Sequence, residues 1–236
     1  MFNRRLYKKK ALECLNGKRH IAALVSLVAL GAMFLLDAGS MGKSIQLIGP
    51  QLTLILDARK MNFIVLAVLC FVLGTIGIAE TGFYLFAVTK PAEKISFSVF
   101  MDGFSQCIRG FLAFAWKWLW IVLWSFLFII PGIVKYFAYS QLFYILGDYP
   151  ELGVAQALSV SKEITKGHKA DLFWMRFSFI LWDIISIPTL FILQLWVRPY
   201  KQAAFALAYR SLMEKAIKSG TVTAEDLGQN NTNEEF

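Results

Sequence analysis

The sequence predicts an all-α membrane protein of about six transmembrane helices, with five as the alternative, and further helices lying in the cytoplasmic interface. Three observations predict it. Hydrophobic residues make up 57% of the 236 and charged residues only 17%, with a mean hydropathy of +0.56, whereas a soluble domain carries about 25% charged and roughly 45–50% apolar residues. The apolar residues come in runs near the ~20 that an α-helix needs to cross about 30 Å of hydrocarbon. Finally, Lys and Arg number 24 against 16 Asp and Glu, a net charge of +8, and that excess is unevenly placed along the chain.

The chain divides into a basic leader (1–20), a multi-span domain (21–218) and a polar tail (219–236). The first apolar run, 21–36, follows seven basic residues (Arg4, Arg5, Lys8, Lys9, Lys10, Lys18, Arg19). That leader resembles the n-region of a signal peptide, but more spans follow, so it reads as a start-transfer anchor. The second run, 61–88, is interrupted only by Glu80 and by Gly74, Gly77 and Gly82. The stretch 111–146 is too long for one crossing. Pro131-Gly132 cuts it, predicting spans of 111–130 and 132–147 joined by a tight hairpin. Pro188 and Pro199 divide the last stretch in the same way, giving a fifth span of 171–187 and a sixth of 189–212 kinked at Arg198-Pro199-Tyr200.

Orientation follows from the connections. With six spans the leader, the 90–110 and 148–170 connections and the tail share one side and hold about sixteen Lys and Arg, against Lys43, Arg59, Lys60 and Lys135 on the other. The positive-inside rule then places both termini in the cytoplasm. Five spans would leave Arg210, Lys215 and Lys218 outside.

Two connecting stretches read as interfacial helices. Arg4 to Leu15 ends at Asn16-Gly17, and Pro150–Gly167 has a proline for the first turn and a glycine for the C-cap. In the latter, Leu152, Ala155, Leu158 and Ile164 tend to one side, with Ser161, Lys162, Glu163 and Lys166 elsewhere. Lysines of the leader are expected to reach anionic head groups. The outer loop 40–60 alternates apolar residues (Leu52, Leu54, Leu56) and suits a short strand or surface-lying segment. The tail, rich in Asn and Glu, reads as disordered.

Catalytic sets are missing from the sequence. The two histidines, His20 and His168, form no H-E-x-x-H pair, the three cysteines (Cys14, Cys70, Cys107) show no C-x-x-C spacing, and neither a G-x-S-x-G elbow nor a phosphate loop occurs. No enzyme and no cofactor are expected.

The candidate functional residues are the charges inside the apolar runs, each costing about 2.5–3.5 kcal/mol on insertion scales unless it is partnered. Glu80, Lys117 and Arg176 fall within about 8–12 Å of the inner boundary, counting 1.5 Å per residue. Glu80 is therefore expected to pair with Lys117 or Arg176. Asp183 lies toward the outer end of span five, where Lys135 or Arg198 could neutralise it. Of seven tryptophans, Trp116, Trp118, Trp174 and Trp196 suit an interfacial belt, while Trp120, Trp124 and Trp182 are expected to pack between helices. Gly74, Gly77, Ala79 and Gly82 allow close helix approach.

A set of motifs carries a resemblance. Leu6-Tyr7-Lys8-Lys9-Lys10-Ala11-Leu12-Glu13-Cys14-Leu15-Asn16-Gly17 leads into the first span; Ile130-Pro131-Gly132-Ile133-Val134-Lys135-Tyr136, Tyr144-Ile145-Leu146-Gly147-Asp148-Tyr149-Pro150 and Ala157-Leu158-Ser159-Val160-Ser161 follow. Thr165-Lys166-Gly167-His168-Lys169, Ser178-Phe179-Ile180-Leu181-Trp182 and Pro199-Tyr200 complete the order. Together they resemble the bacterial integral-membrane family called domain of unknown function 975. The resemblance implies a multi-helix protein of the bacterial cytoplasmic membrane with no established activity. Arg198 and Lys201 depart from it, standing where a more apolar last span is expected.

The functional expectation is a non-enzymatic membrane scaffold or accessory subunit. The alternative is a small transporter, channel or lipid-handling protein that uses its intramembrane charges. Expected partners are the bilayer, with anionic lipids at the cytoplasmic face, and membrane proteins or further copies of the chain; nucleic acid is not among them, because the basic excess serves orientation. A polar cavity reaching mid-membrane would separate the two readings, since a scaffold needs only a solid apolar core.

Overall fold

The computed structural model describes residues 2, 4–31, 63–91, 93, 95–127, 129–186 and 192–228. All regular structure among these residues is helical. The short strand expected in the 40–60 loop, residues 32–36 of the first predicted span and the end of the tail lie outside the described residues.

The helices are α1 (Arg4–Cys14), α2 (Arg19–Gly31), α3 (Phe63–Thr89), α4 (Phe97–Asp102), α5 (Cys107–Leu127), α6 (Ile129–Ala138), α7 (Leu142–Asp148), α8 (Val154–Ile164), α9 (Lys169–Ile185) and α10 (Gln194–Lys218). A 3₁₀ turn, Gly103–Gln106, joins α4 to α5. By length and composition two apolar helical runs can cross a bilayer, Ala67–Thr89 and Phe97–Phe126.

Helix α3 is the centre of the bundle, packed against α5, α7 and α10. Small residues set its closest approaches. At Gly74 and Gly110 the backbones of α3 and α5 touch, so that a Cβ on Gly110 would stand 2.6 Å from the Gly74 carbonyl oxygen. Ala79 meets Gly103 in the same way. This is the close packing expected of the small residues in the second run.

Residues 4–14 of the leader form a helix. Tyr7, Ala11 and Leu15, four residues apart, are buried, while Arg4, Arg5, Lys9 and Lys10 are exposed. The buried stripe lies on α10, where the Tyr7 hydroxyl donates to Ser211 Oγ at 2.7 Å. Gly17 takes φ +77°, the left-handed conformation that stops the helix. Helix α2 buries Ala22, Val25, Ser26 and Ala29 and turns Leu24, Leu27 and Val28 outward. Its Ser26 hydroxyl and the buried Tyr84 hydroxyl of α3 are 3.0 Å apart.

Several expectations are corrected. The 132–147 span is not one helix: it divides into α6 and α7 at residues 139–141. The physical reason lies in α8, whose Ser161 hydroxyl donates to the Ala138 carbonyl at 2.8 Å and whose Thr165 hydroxyl donates to the same oxygen at 3.3 Å. These donors occupy an acceptor at the α6 C-terminus that a continuous helix would use for its own ladder. Pro150 precedes α8 in a turn rather than forming its first turn, and Ser161 belongs to the buried face while Ala155 is exposed. Trp182 is 47% exposed rather than packed between helices. The start of the tail is ordered. Val222 and Leu227 are buried in the core, and Gln156 of α8 donates to the Asp226 carbonyl at 3.2 Å.

Much of the outer surface is apolar. Helix α9 buries only Leu172, Met175 and Phe179 along one stripe and turns Phe177, Leu181, Ile184 and Ile185 outward. Helix α5 exposes Leu112, Leu119, Leu123 and Phe126 in the same manner. Exposed apolar faces of this kind, where they form a large patch, mark contact with a partner or with lipid.

Candidate functional site

A cavity of about 620 Å³ lies among α3, α5, α6, α9 and α10, with Leu30 of α2 and Ser140, Phe143 and Tyr144 around the α6–α7 break also in its wall. Its apolar wall comes from residues such as Leu73, Ile76, Phe114, Phe137, Leu172 and Phe205. Its polar wall holds Glu80, Lys117, Arg176, Asp183, Arg198 and Lys201, together with Gln194 and Gln202. Five of the six candidate charges from the sequence thus converge on one space. The sixth, Lys135, is elsewhere, its ammonium 4.6 Å from the centroid of the Trp124 ring.

The pairing differs from the sequence expectation. Glu80, 3% exposed, is held by Arg198 rather than by Lys117 or Arg176. Arg198 Nε donates to Oε1 at 2.8 Å and Nη2 to Oε2 at 2.7 Å, so both carboxylate oxygens are used by one guanidinium. The cause is the neighbour relation: α10 packs directly on α3. Asp183 is held by Lys201, Nζ to Oδ2 at 2.8 Å, and by Gln194, Nε2 to Oδ1 at 2.9 Å, rather than by Lys135 or Arg198. Gln194, Arg198 and Lys201 recur at helical spacing, which puts one polar stripe of α10 against the cavity. That spacing was the legible sign of Gln194 and Lys201, neither of which was named as a site residue.

Two cations are left over. Among the described residues, neither Lys117 nor Arg176 has a carboxylate within ion-pair distance. Both bear on the same aromatic ring: Lys117 Nζ is 5.7 Å and Arg176 Cζ 5.5 Å from the Tyr136 centroid. Lys117 Nζ is also 5.5 Å from the Phe143 centroid. Such cation–π contacts contribute about 0.5–2 kcal/mol each.

Tyrosines and a second polar cluster fix the surrounding helices. Tyr144 donates to Gln202 Oε1 at 3.1 Å and stacks on Tyr209, with ring centroids 5.6 Å apart. Tyr209 in turn donates to Asp148 Oδ2 at 3.0 Å, and Arg210 lies 3.3 Å from Asp148 Oδ1 while donating through Nε to Thr89 Oγ1 at 3.0 Å. This ties α7, α10 and the end of α3 together. Among the described residues no group of three or more His, Cys, Asp or Glu is placed to hold a metal ion.

The fold and the cavity define a helical bundle that buries the Glu80–Arg198 pair, exposes many large apolar side chains and contains two helices long and apolar enough to cross a bilayer. Residues 118–216 match the protein family described as "Protein of unknown function (DUF975)", the family that the sequence resembles. The matched stretch contains Arg176, Asp183, Arg198 and Lys201, while Glu80 and Lys117 precede it. No curated protein and no solved structure showed a significant match.

Proposed function

We propose that the chain is a multi-span protein of the bacterial cytoplasmic membrane, with about six crossings and both termini inside, that takes a small solute or a lipid into its central cavity without transforming it. The observation that carries this reading is the cavity itself. A scaffold or accessory subunit needs only apolar helix contacts, whereas here charged and amide side chains from α3, α5, α9 and α10 turn toward a common space. Helix breaks with polar residues beside them are the usual setting of transport sites, and the α6–α7 break places Ser140 in the cavity wall. The outward apolar faces of α5 and α9 support embedding in lipid. Of the six crossings, the two long runs in α3 and α4–α5 have the firmest support.

The test is water access. In a variant with Cys14, Cys70 and Cys107 replaced by Ser, Ser140→Cys is expected to react with a membrane-impermeant maleimide from one side of sealed vesicles. Ala138→Cys, at a buried position, is the unreactive control. Equal protection of both positions from either side overturns the cavity reading.

A further inference from the structure

We infer that the cavity is a seat for a phosphate-class oxyanion, held between Lys117 of α5 and Arg176 of α9, with the remainder of the ligand along the aromatic and aliphatic wall. The inference rests on the cavity reading above and names the ligand class for that site.

The charge inventory leads to it. Four cations and two carboxylates face the cavity. Arg198 and Lys201 are committed to Glu80 and Asp183, each at hydrogen-bond distance. Asp183 stands two helical turns beyond Arg176 on the same helix, yet its two oxygens already receive Lys201 and Gln194. A positive surplus is therefore concentrated at Lys117 and Arg176, both beside the Tyr136 ring.

Geometry selects the anion. A planar carboxylate is satisfied by a single guanidinium fork, which is how Glu80 is held. Lys117 and Arg176 belong to separate helices and line the same cavity, so an anion answering both needs oxygens for two separate donors. Phosphate is such an anion, and a phosphomonoester near pH 7 carries about −1.5 to −2, close to the two unneutralised charges. At about 620 Å³ the cavity has the size of a small-molecule site, roughly 300–1,000 Å³, and exceeds what free phosphate fills. Phe114, Phe143 and Leu73 offer an apolar wall for an attached chain.

The experiment uses the full chain purified in a neutral maltoside detergent, with thermal unfolding as the readout. Dihexanoyl phosphatidic acid is the phosphomonoester probe, inorganic phosphate the free anion, and dihexanoyl phosphatidylcholine the matched lipid whose charge is neutralised. The phosphatidic acid is expected to raise the unfolding temperature by several degrees and the phosphatidylcholine to leave it unchanged. A shift of equal size with inorganic phosphate assigns the seat to the free anion rather than to a lipid head group. Lys117→Gln and Arg176→Gln should each weaken the half-saturating concentration by about tenfold or more, while Lys218→Gln, at the exposed C-terminal end of α10, keeps it. If the cavity variants do not fold, protection of Ser140→Cys from maleimide by phosphatidic acid replaces them. No shift and no protection with any phosphate probe, while Ser140→Cys still labels, overturns the phosphate assignment alone. Absence of labelling overturns the cavity reading beneath it, and an undiminished shift in both cavity variants places the binding elsewhere and refutes the seat.

Discussion

Arg198 closes a two-bond fork on Glu80, Nε to Oε1 at 2.8 Å and Nη2 to Oε2 at 2.7 Å, joining α10 to α3 in the interior of the bundle. A pair of this kind is weak evidence for stability as a whole, because two charges must be desolvated to form it, but breaking it leaves an uncompensated buried charge. Glu80→Ala or Arg198→Ala is therefore expected to destabilise by about 3–5 kcal/mol. The double variant Glu80→Ala with Arg198→Ala should cost clearly less than the sum. Unfolding of the purified protein in a denaturing-detergent titration checks this, and strict additivity of the two single variants would mean that the fork is not a coupled unit.

The contact of Gly74 with Gly110 makes a second prediction. A Cβ at either position would meet the opposing backbone, with Gly74 O only 2.6 Å from a Cβ on Gly110. The two backbones cannot yield as a flexible side chain would. Gly110→Ala is expected to cost about 1–3 kcal/mol through overpacking, outweighing the roughly 1 kcal/mol that alanine gains over glycine in helix propensity. Gly82→Ala, with nothing within 4 Å of its added Cβ, should be neutral or stabilising. Unfolding temperatures that rank the two variants in the opposite order would remove the close crossing.

The α6–α7 break is held from a distance. Ser161 and Thr165, both buried, donate to the carbonyl of Ala138 across a sequence gap of more than twenty residues. Losing one such bond costs about 1 kcal/mol, and leaving the acceptor buried adds about 1–3 kcal/mol. Thr165 Oγ1 remains near the carbonyl in Ser161→Ala, so that variant should lose about 1 kcal/mol. Ser161→Ala combined with Thr165→Val should lose more than the two separately. Hydrogen exchange at residues 138–142 that stays at the wild-type rate in the double variant would show that the break does not depend on α8.

These sites also mark what the sequence makes legible. The helices themselves are readable because apolar runs of fixed length admit few other structures, whereas the convergence of Glu80, Lys117, Arg176, Asp183 and Arg198 on one cavity is not, since residue counting separates the first three from the last two by depth. Their pairing is not readable. Counting residues gives depth along a helix but not which helices are neighbours, and it is the packing of α10 on α3 that gives Glu80 to Arg198. The division of the 132–147 span was hidden for a similar reason, since Ser140-Gln141 carries no Pro or Gly and the partners that occupy the Ala138 carbonyl come from α8. Composition misled at residues 219–228, where two apolar side chains, Val222 and Leu227, suffice to seat a polar segment on the bundle.

That seated segment should respond to acid. The Asp226 carboxylate receives the Thr223 backbone N–H and hydroxyl, both at 2.9 Å. These hydrogen bonds, the backbone one foremost, hold its pKa below the usual 3.8. Since the folded pKa is depressed, the stabilisation is fully present above the ordinary aspartate range and is lost as the pH falls through the folded value. Amide exchange at Val222 and Leu227, measured on the detergent-solubilised protein, is thus expected to accelerate as the pH drops below about 4, after correction for intrinsic exchange. Asp226→Asn should show faster exchange at neutral pH and little further change with acid, because the amide oxygen accepts these bonds more weakly and does not titrate there. Protection at these two amides that is independent of pH in the wild-type chain, or a wild-type pH profile retained in Asp226→Asn, would place the seating energy in Val222 and Leu227 alone.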